Sequence, residues 1–340
     1  MRLLITTQAV DRNDQALGFF HGWLEEFAKH FERIEVICLE EGEHNLPKSV
    51  SVHSLGKERG ASRVEYIFHF YHYIFSLWGK HDAVFVHMNQ EYALLGGTLW
   101  RLGGKRLVLW RNHKKGSAWT RIAALLAHKV CHTSPEAYVA RYANAVRMPI
   151  GVDTALFKPR AAPGQDAILF LGRLDAVKKP DIFLEAIEQL RKSGISTPVH
   201  VYGDPTPGRE GFAEEIKKRF AHLENVSFHS SVPHERTAEL YTTYSIYANI
   251  TPSGSFDKTI GEAMSSGCIV VAGNDALRGV IPGALLVDPQ SAGSVAEGIR
   301  AALAMRESER EKLRERSRAY VEREHSLSLL VEKLVGILSK

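Results

Sequence analysis

The sequence predicts an α/β protein with two doubly wound parallel sheets. Short apolar segments alternate with helical stretches along the chain, a pattern typical of parallel strands joined by crossover helices. The alternation begins again in the second half, and 340 residues are enough for two domains of ordinary size. The three cysteines, odd in number and without CxxC spacing, argue against a disulfide framework or a zinc site.

The first predicted domain covers residues 1–156 and contains five strands. Each strand is a short apolar run followed by polar residues, as expected for the buried strands of a parallel sheet. We place these strands at residues 3–7, 34–39, 83–87, 106–110 and 129–132.

The second predicted domain covers residues 157–322 and repeats the alternation. Its strands are placed at residues 167–171, 199–202, 226–228, 246–249, 268–272 and 285–287. Residues 306–324 are rich in charge and predict a long solvated helix. The last segment, 323–340, is a separate helix whose apolar stripe consists of Leu327, Leu329, Leu330, Leu334 and Leu338.

Residues 251–267 form the segment that is most informative about function. It places small residues and backbone amides at the start of a short helix, with the carboxylate of Glu262 about one turn inside. Helix N-termini bind anions because their unpaired N–H groups and the positive end of the helix dipole point outward. This helix start would suit a diphosphate, and Glu262 would accept hydrogen bonds from two ribose hydroxyls. The alternative is an ordinary loop-to-helix turn with a solvated glutamate.

A second segment, residues 167–181, points to the same chemistry. An apolar strand ends at Gly172, and Arg173 and Lys178 follow at the carboxyl end, where open α/β sheets bind their ligands. Both cations could neutralise a diphosphate. A surface salt bridge is the alternative for Arg173 alone, but the combination with Lys178 favours phosphate binding. Asp181 is predicted to cap the helix that comes next.

Three short motifs lie between residues 149 and 267. They are Gly172-Arg173-Leu174 with Lys178, the run from Pro149 to Asp153 with Phe157 and Pro159, and the run from Ser255 to Met264 with Gly267. Together they resemble the retaining GT-B glycosyltransferases of family 4, also called glycosyl transferases group 1. The resemblance implies two Rossmann-like lobes with a central cleft, and a sugar taken from a nucleoside diphosphate with retention of its anomeric configuration. It also implies that the final helix packs back on the first lobe.

The resemblance implies a donor-binding set in the second lobe, in which Arg173 and Lys178 are catalytic cations that balance the charge of the leaving diphosphate. Gly254 stands where the family carries the first glutamate of a Glu-x7-Glu pair, which leaves the identity of the sugar open. There is no Asp-x-Asp motif, so we expect neither a metal nor another cofactor. The implied donor-binding residues are Gly172, Arg173, Lys178, Val232, Ser255, Phe256, Asp257, Lys258, Thr259 and Glu262.

Polar residues that follow the strands of the first lobe are candidates for the acceptor side. His113 stands where relatives often place a histidine beside the donor sugar, so it is the first candidate for positioning the reacting hydroxyl. A surface or structural histidine is the alternative, and Asp14 could instead cap a helix. The acceptor-side candidates are Asp11, Asp14, Gly18, His87, Asn89 and Glu91.

Three other functions are alternatives for a protein of this predicted fold. A dinucleotide enzyme would need a G-x-G-x-x-G motif after the first strand, and residues 6–13 contain no glycine. A sugar-nucleotide epimerase and a catalytically silent sugar-nucleotide-binding homologue are harder to separate from a transferase. The expected activity is transfer of a sugar from a UDP or GDP donor to a glycan or lipid-linked acceptor, in the synthesis of polysaccharide or glycolipid.

The chain's net charge of +4 comes from its first half, where 19 Lys and Arg stand against 15 Asp and Glu in residues 1–156. A mildly basic lobe suits an anionic membrane surface or an anionic acceptor, and chance surface composition is the alternative. No apolar run reaches the length of a signal peptide or a transmembrane helix. We therefore expect a cytoplasmic protein with peripheral contact to the inner face of the membrane and no binding to nucleic acid.

An aromatic helix is predicted over residues 66–78, between Arg63 and Lys80. One interpretation is a helix wedged between the sheet and its neighbours. The other is an interfacial helix that places Phe70, Tyr73 and Trp78 at the level of lipid headgroups.

Overall fold

The computed structural model describes residues 1–160, 164–206, 208–254 and 256–340. The chain divides into two compact units. Unit 1 consists of Met1–Gly151 together with Leu327–Lys340, and unit 2 is Val152–Ser326. The divisions therefore fall between residues 151 and 152 and between residues 326 and 327, a few residues from the positions predicted above.

Unit 1 contains a parallel sheet of seven strands, all within its described residues. The strand order is β3-β2-β1-β4-β5-β6-β7, so the chain reverses its direction of winding between β1 and β4. The strands are β1 (Arg2–Val10), β2 (Arg33–Glu41), β3 (Val50–Ser54), β4 (Ala83–His87), β5 (Arg106–Trp110), β6 (Lys129–His132) and β7 (Ala145–Arg147). The sequence did not predict β3 and β7, because both are short edge strands with half-exposed side chains that lack an apolar run.

Unit 2 contains a parallel sheet of five strands among its described residues, in the order β10-β9-β8-β11-β12. The strands are β8 (Gln165–Leu171), β9 (Val199–Tyr202), β10 (Val226–His229), β11 (Tyr244–Asn249) and β12 (Ile269–Ala272). Two parallel α/β sheets confirm the predicted fold class. The strand predicted at 285–287 is wrong: Gly283–Leu285 is a 3-10 turn after Pro282, and Leu286 makes an isolated bridge to Ala272.

The α-helices connect these strands. They are α1 (Phe19–Ala28), α2 (Arg63–Ser76), α3 (Gln90–Leu102), α4 (Ala118–Leu126), α5 (Pro180–Lys192), α6 (Glu210–Arg219), α7 (His234–Thr243), α8 (Lys258–Ser265), α9 (Ala292–Ala304), α10 (Glu307–His325) and α11 (Leu327–Leu338). None of the helices in the described part of the chain has the length and apolarity needed to cross a membrane.

Two apolar layers cover opposite faces of the sheet in unit 1, since neighbouring residues of a strand point to opposite sides. One layer packs α1 and α11 against the sheet, with Trp23 and Leu330 in its centre. The other layer packs α2, α3 and α4 there, with Phe70 and Trp100 in its centre. The final helix thus completes the core of unit 1.

The predicted cap of α5 is wrong. The helix begins at Pro180, which favours the first helical position because it has no N–H group to satisfy. Lys179 is therefore the N-cap, in the left-handed region with φ of 56°. Asp181 lies inside the first turn, near the positive end of the helix dipole.

The charged helix α10 is less solvated than the sequence predicts. Arg310 is buried on one face, where it donates hydrogen bonds to Asp166 Oδ1 at 2.7 Å and to the carbonyl of Leu303 at 3.0 Å. On the same helix Arg318 donates to the carbonyls of Phe157 and Ser265. Long cationic side chains thus hold this helix against the rest of unit 2.

Candidate functional site

The carboxyl edge of the sheet in unit 2 brings together residues from both motifs of the second domain. β8 and β11 are neighbours in the sheet, and they end at Leu171 and Asn249. The loop after β8 carries Lys178, and the loop after β11 leads into α8. Segments 79 residues apart in sequence therefore meet at one edge.

Two glycines keep the backbones at this edge close together. Gly203 has φ of 153°, and a Cβ atom there would lie 1.9 Å from the carbonyl oxygen of Gly172. The amide of Gly172 in turn donates to the carbonyl of Tyr202 at 3.0 Å. Only glycine fits at position 203, so backbone rather than side chains forms this part of the edge.

Lys178 and Asp257 form an ion pair across the edge. The ammonium of Lys178 contacts Asp257 Oδ2, which also accepts a hydrogen bond from Asn249 Nδ2 at 3.1 Å. The side chains of Lys178 and Asp257 are only 17% and 14% exposed. Burial alone would raise the pKa of Asp257, but the charge and hydrogen bond of Lys178 and the Asn249 amide lower it to about 2. The carboxylate is therefore ionised at neutral pH and holds the ammonium in place.

Thr259 is also tied into this network. Its Oγ1 lies 2.9 Å from the hydroxyl of Tyr247 and 3.0 Å from Nδ2 of Asn249. Tyr247 is fully buried, and burial raises the pKa of its phenol. The Thr259 side chain thus connects the first turn of α8 to β11, and its hydroxyl is engaged within unit 2.

Lys258 is the first residue of α8. Burial lowers the pKa of its ammonium to about 8, although the carboxylates of Glu262 and Asp153 act to raise it. An ammonium with this pKa changes its charge near physiological pH. At the N-terminus of a helix, its protonated form adds to the attraction that the helix dipole exerts on an anion.

Glu262 is buried, so the alternative of a solvated glutamate is wrong. Its side chain is 2% exposed and lies in the second turn of α8. Oε1 lies 2.8 Å from Nε2 of His234, and Oε2 accepts a hydrogen bond of 3.4 Å from the hydroxyl of Tyr241. Both partners belong to α7. A ligand hydroxyl that binds Glu262 would have to share the carboxylate with them or displace one.

Arg173 has the surface ion pair that the sequence offered as its alternative role. Its Nε lies 3.7 Å from Asp175 Oδ2, and its side chain is 50% exposed. The same oxygen of Asp175 accepts a hydrogen bond from Thr206 Oγ1 at 3.0 Å. The guanidinium is thus placed beside the loop after β8 while half of it stays accessible to solvent.

The remaining donor-side candidates are distributed over two loops. Phe256 is buried, with its ring edge-on to His325 at 4.9 Å. Gly254 has φ of 150°, where a side chain would be strained. Val232 lies half-buried in the loop before α7. Ser255 lies outside the described residues.

In unit 1, His87 is a core residue at the end of β4. It is completely buried, its ring stacks on Phe20 at 3.9 Å, and Nδ1 lies 3.0 Å from Thr7 Oγ1. The next residue, Met88, has φ of 65°, in the left-handed region that non-glycine residues seldom adopt. Such local strain is often found beside functional sites.

The other candidates of unit 1 lie nearer the surface. Asn89 Nδ2 donates to Gln8 Oε1 at 2.9 Å, while Glu91 is exposed in the first turn of α3. His113 is exposed in the loop after β5, and its Nδ1 accepts a hydrogen bond from the amide of Lys115 at 3.0 Å. The carboxyl ends of β4 and β5 thus present polar side chains close to the surface of unit 1.

Asp11 and Asp14 shape the turn between β1 and α1. Asp11 Oδ1 accepts a hydrogen bond from the amide of Asn13, and Asp14 Oδ1 accepts from the amides of Ala16 and Leu17. Asp14 is not the helix cap, because Gly18 occupies the N-cap position of α1.

Sequence reasoning missed two polar residues of the unit 2 edge. Asn249 could have been found, since it is the last residue of a predicted strand and lies at the edge where ligands bind. His234 follows a proline at a helix start, and nothing in its local pattern indicates that it meets Glu262. The left-handed conformation of Met88 also has no local signal.

Comparison with protein families gives a match that lies within unit 2. Residues 165–305 match the family model described as Glycosyl transferases group 1. The D-inositol 3-phosphate glycosyltransferase of Nocardia farcinica is 29% identical over 140 residues, which cover 37% of this chain and 31% of the relative. The corresponding protein of Segniliparus rotundus is 28% identical over 139 residues. The matched part thus spans about a third of the length of these curated relatives.

Solved structures match along nearly the whole chain. HepE of Anabaena, in complex with UDP and glucose, has a TM-score of 0.79 at 16% identity, with 99% of each chain covered. The chain has the GT-B fold. Sucrose-phosphate synthase of Thermosynechococcus elongatus is similar to this GT-B chain as well, with a TM-score of 0.77 at 18% identity and coverage of 99% and 98%.

The unit 2 edge of this GT-B chain can hold an anion. Its parts are a fixed ammonium at Lys178, a titratable one at Lys258, the N-terminus of α8 and the half-exposed guanidinium of Arg173. Within the described residues, no group of three or more His, Cys, Asp or Glu side chains is arranged to hold a metal ion. The absence of a metal requirement stays a prediction.

Proposed function

We propose that the protein transfers a sugar from a nucleoside diphosphate donor to a glycan or lipid-linked acceptor, with retention of the anomeric configuration. The observation that carries this proposal is the ion pair of Lys178 and Asp257 at the mouth of α8. It fixes an ammonium beside a helix N-terminus, where a diphosphate would be attracted by both. Positioning of this kind before the ligand arrives is characteristic of sites that stabilise a leaving group.

A uridine donor is the first choice among UDP and GDP sugars. HepE of Anabaena was solved with UDP and with UDP-glucose, and its fold matches this chain from end to end. The ribose would bind near Glu262, which supplies the buried carboxylate next to the α8 N-terminus. The diphosphate would lie against Lys178, Arg173 and the first turn of α8.

In the proposed reaction, the bond between the sugar's anomeric carbon and the diphosphate oxygen breaks, and a bond from that carbon to the acceptor oxygen forms on the same face. The proton of the acceptor hydroxyl passes to the leaving diphosphate. Arg173 and Lys178 balance the negative charge that develops on the diphosphate, so their contribution grows as the bond breaks. His113 of unit 1 is proposed to position the reacting hydroxyl, and Asp11, Asn89 and Glu91 to bind the acceptor.

We place this activity in the cytoplasm, with peripheral contact to the inner face of the membrane, in the synthesis of cell-surface polysaccharide or glycolipid. The basic excess of residues 1–156 supports an anionic surface as the partner. A lipid-linked acceptor would be found at that surface.

The test begins with a panel of sugar nucleotides in a thermal-shift assay, followed by measurement of nucleotide release. A ligand at 100 times its dissociation constant adds about 2.7 kcal/mol to the free energy of unfolding. We expect a UDP sugar to raise Tm and to be hydrolysed slowly without acceptor, with the released sugar keeping its configuration. Lys178→Ala should slow nucleotide release more than it lowers the Tm shift, while Lys192→Ala, at an exposed lysine on α5, should change neither.

Four outcomes would contradict parts of the proposal. Failure of every sugar nucleotide to raise Tm would contradict donor binding. Binding without hydrolysis or transfer would favour a silent binding protein, and a change of configuration in the intact sugar nucleotide would favour an epimerase. Loss of activity with EDTA, restored by magnesium or manganese, would contradict the metal-free mechanism.

A further inference from the structure

The large apolar side chains that are exposed in the described chain are concentrated on one helix layer of unit 1. Ten such residues are exposed, and eight of them lie on α2, α3 or α4. They are Val64, Ile67, Phe68 and Phe75 on α2, Leu102 on α3, and Trp119, Ile122 and Leu125 on α4. The other two are Met1 and Val177. We call the outer surface of these three helices the α2–α4 face.

The apolar residues of α4 form a stripe. Trp119, Ile122 and Leu125 are 62%, 43% and 68% exposed, and their spacing of three residues places them on one side of the helix. The other side, with Ala123 and Ala124, is buried against the sheet. Isolated exposed apolar residues are ordinary, but a stripe on the solvent side of a short helix requires an explanation.

The chain segment that contains most of α3 and all of α4 is strongly basic. Residues 92–135 contain eight Lys and Arg and no Asp or Glu. Lys115 and Arg121 are exposed beside the α4 stripe. At the other end of α4, the exposed Arg101 donates a hydrogen bond to the carbonyl of Leu126. Apolar side chains and cations therefore occur together on this face.

A groove runs between α2 and α3 on the same face. It has a volume of about 560 Å³ and is lined by Phe75, Trp78, Leu99, Leu102 and Gly103. Phe75 and Leu102 are themselves among the exposed apolar residues. The structure thus corrects the membrane-facing residues predicted above: Phe70 is 1% exposed and belongs to the core, and the hydroxyl of Tyr73 donates to the carbonyl of Ser54.

We propose that the α2–α4 face docks on the surface of a bilayer that contains anionic headgroups. Trp119, Ile122, Leu125 and Phe68 enter the boundary between headgroups and acyl chains, and Lys115 and Arg121 contact lipid phosphates. The inference deepens the membrane contact of the proposed function. Charge complementarity favours lipid over a second copy of this chain, because the same face of a second copy carries the same cations and would repel the first.

Co-sedimentation with vesicles tests the proposal. The protein is mixed with vesicles of phosphatidylcholine alone, or with vesicles in which about 30% of the lipid is the anionic phosphatidylglycerol. We expect sedimentation with the anionic vesicles at low salt, release as salt rises, and little binding to the neutral ones. The triple variant Trp119→Ser/Ile122→Ser/Leu125→Ser should bind at least about tenfold more weakly, because three apolar side chains leave the interface.

Matched variants control for general changes of surface. Lys115→Glu/Arg121→Glu should lose binding, whereas Lys312→Glu/Lys333→Glu makes the same change of charge at exposed positions of α10 and α11 and should keep it. Val177→Ser removes an exposed apolar residue of unit 2 and should also bind normally. If the triple variant fails to fold, Leu125→Ser and the charge-reversal pair carry the test.

The proposal is overturned if the protein stays in the supernatant with anionic vesicles at low salt, or if the folded α4 variants bind as well as the parent. It is also overturned if the α4 variants change the protein from a dimer to a monomer in solution, which would make this face an interface between copies. UDP-induced thermal shifts on the same preparations separate the two proposals. Lost vesicle binding with a normal shift contradicts only the docking surface, and normal vesicle binding without a shift contradicts only donor binding.

Discussion

The carboxyl edges of the two sheets differ in how their polar groups are held. In unit 2, Lys178, Asp257 and Asn249 are joined in one network that links two loops. In unit 1, His87 is part of the core, while Glu91 and His113 are exposed, and the ring of His113 accepts a hydrogen bond from the amide of Lys115 two residues away.

This difference teaches what each edge can recognise. A fixed and partly buried network suits a ligand group that is the same in every reaction cycle, such as a diphosphate, because its side chains need no further ordering on binding. Exposed side chains on loops suit a partner that varies among related proteins. The proposed assignment of donor to unit 2 and acceptor to unit 1 follows this contrast.

The largest expected effect concerns the ion pair. Lys178→Ala leaves Asp257 with a poorly compensated buried charge, so the free energy of unfolding should fall by about 3 kcal/mol, toward the low end for buried pairs because both groups keep some exposure. Urea unfolding measures the change. A double-mutant cycle uses Lys178→Met, Asp257→Asn and the variant with both changes. The double variant should lose less free energy of unfolding than the two single variants together. Additive costs would show that the pair does not act as a unit.

Glu262 ranks next. Glu262→Ala removes the acceptor for His234 and Tyr241, so both stability and UDP affinity should fall by about 1–3 kcal/mol. Glu262→Gln keeps a carbonyl acceptor and should recover most of the stability but not the affinity. Calorimetric titration with UDP, next to urea unfolding, separates the two effects. An unchanged UDP affinity in both variants would remove Glu262 from the donor site.

Titration of Lys258 should make the affinity for UDP depend on pH. Its pKa of about 8 means that the ammonium is charged below that pH and neutral above it. Affinity for UDP should therefore be highest below pH 8 and decline by up to about tenfold per pH unit above it, until it reaches the weaker affinity of the neutral form. Lys258→Met should flatten this decline, and Lys258→Arg should move it beyond the measurable range. A profile that is the same in all three proteins would exclude Lys258 from phosphate binding.

The smallest effect on stability is expected at His113. Because the side chain is exposed, His113→Ala should change the free energy of unfolding by no more than about 0.5 kcal/mol. Transfer to acceptor should nevertheless fall, while UDP affinity stays the same. His87→Ala provides the contrast, since loss of a buried ring that stacks on Phe20 should destabilise unit 1 by several times that amount. Normal transfer by His113→Ala would disprove its positioning role.

Much of the fold was predictable from local patterns. The bounds of β4, β5, β6 and β9 agree with the prediction, because short segments of buried β-formers bounded by polar residues or glycine are strong signals. The edge strands β3 and β7 could not be predicted in this way, since most of their side chains are half-exposed and neither strand contains an apolar run.

The candidate site was predictable as a set of residues but not as an arrangement. Lys178 and Asp257 were each expected to face a donor, and their contact with each other depends on the adjacency of β8 and β11. The burial of Glu262 depends on α7, which no local pattern connects to it. Likewise, the aromatic helix does not reveal in sequence that Phe70 points inward while Phe68 points outward. Non-local packing decides these features.

The packing of α11 in the same apolar layer as α1 has a consequence for synthesis on the ribosome. Unit 1 is built from both ends of the described chain, and roughly 175 residues of unit 2 are made between them. At ~5–20 residues per second, the apolar surface of α1 that receives Leu330 and Leu334 waits about 10–35 s for its partner helix. All of unit 2 is therefore synthesised before α11, and the apolar surface of α1 stays uncovered until α11 emerges from the ribosome.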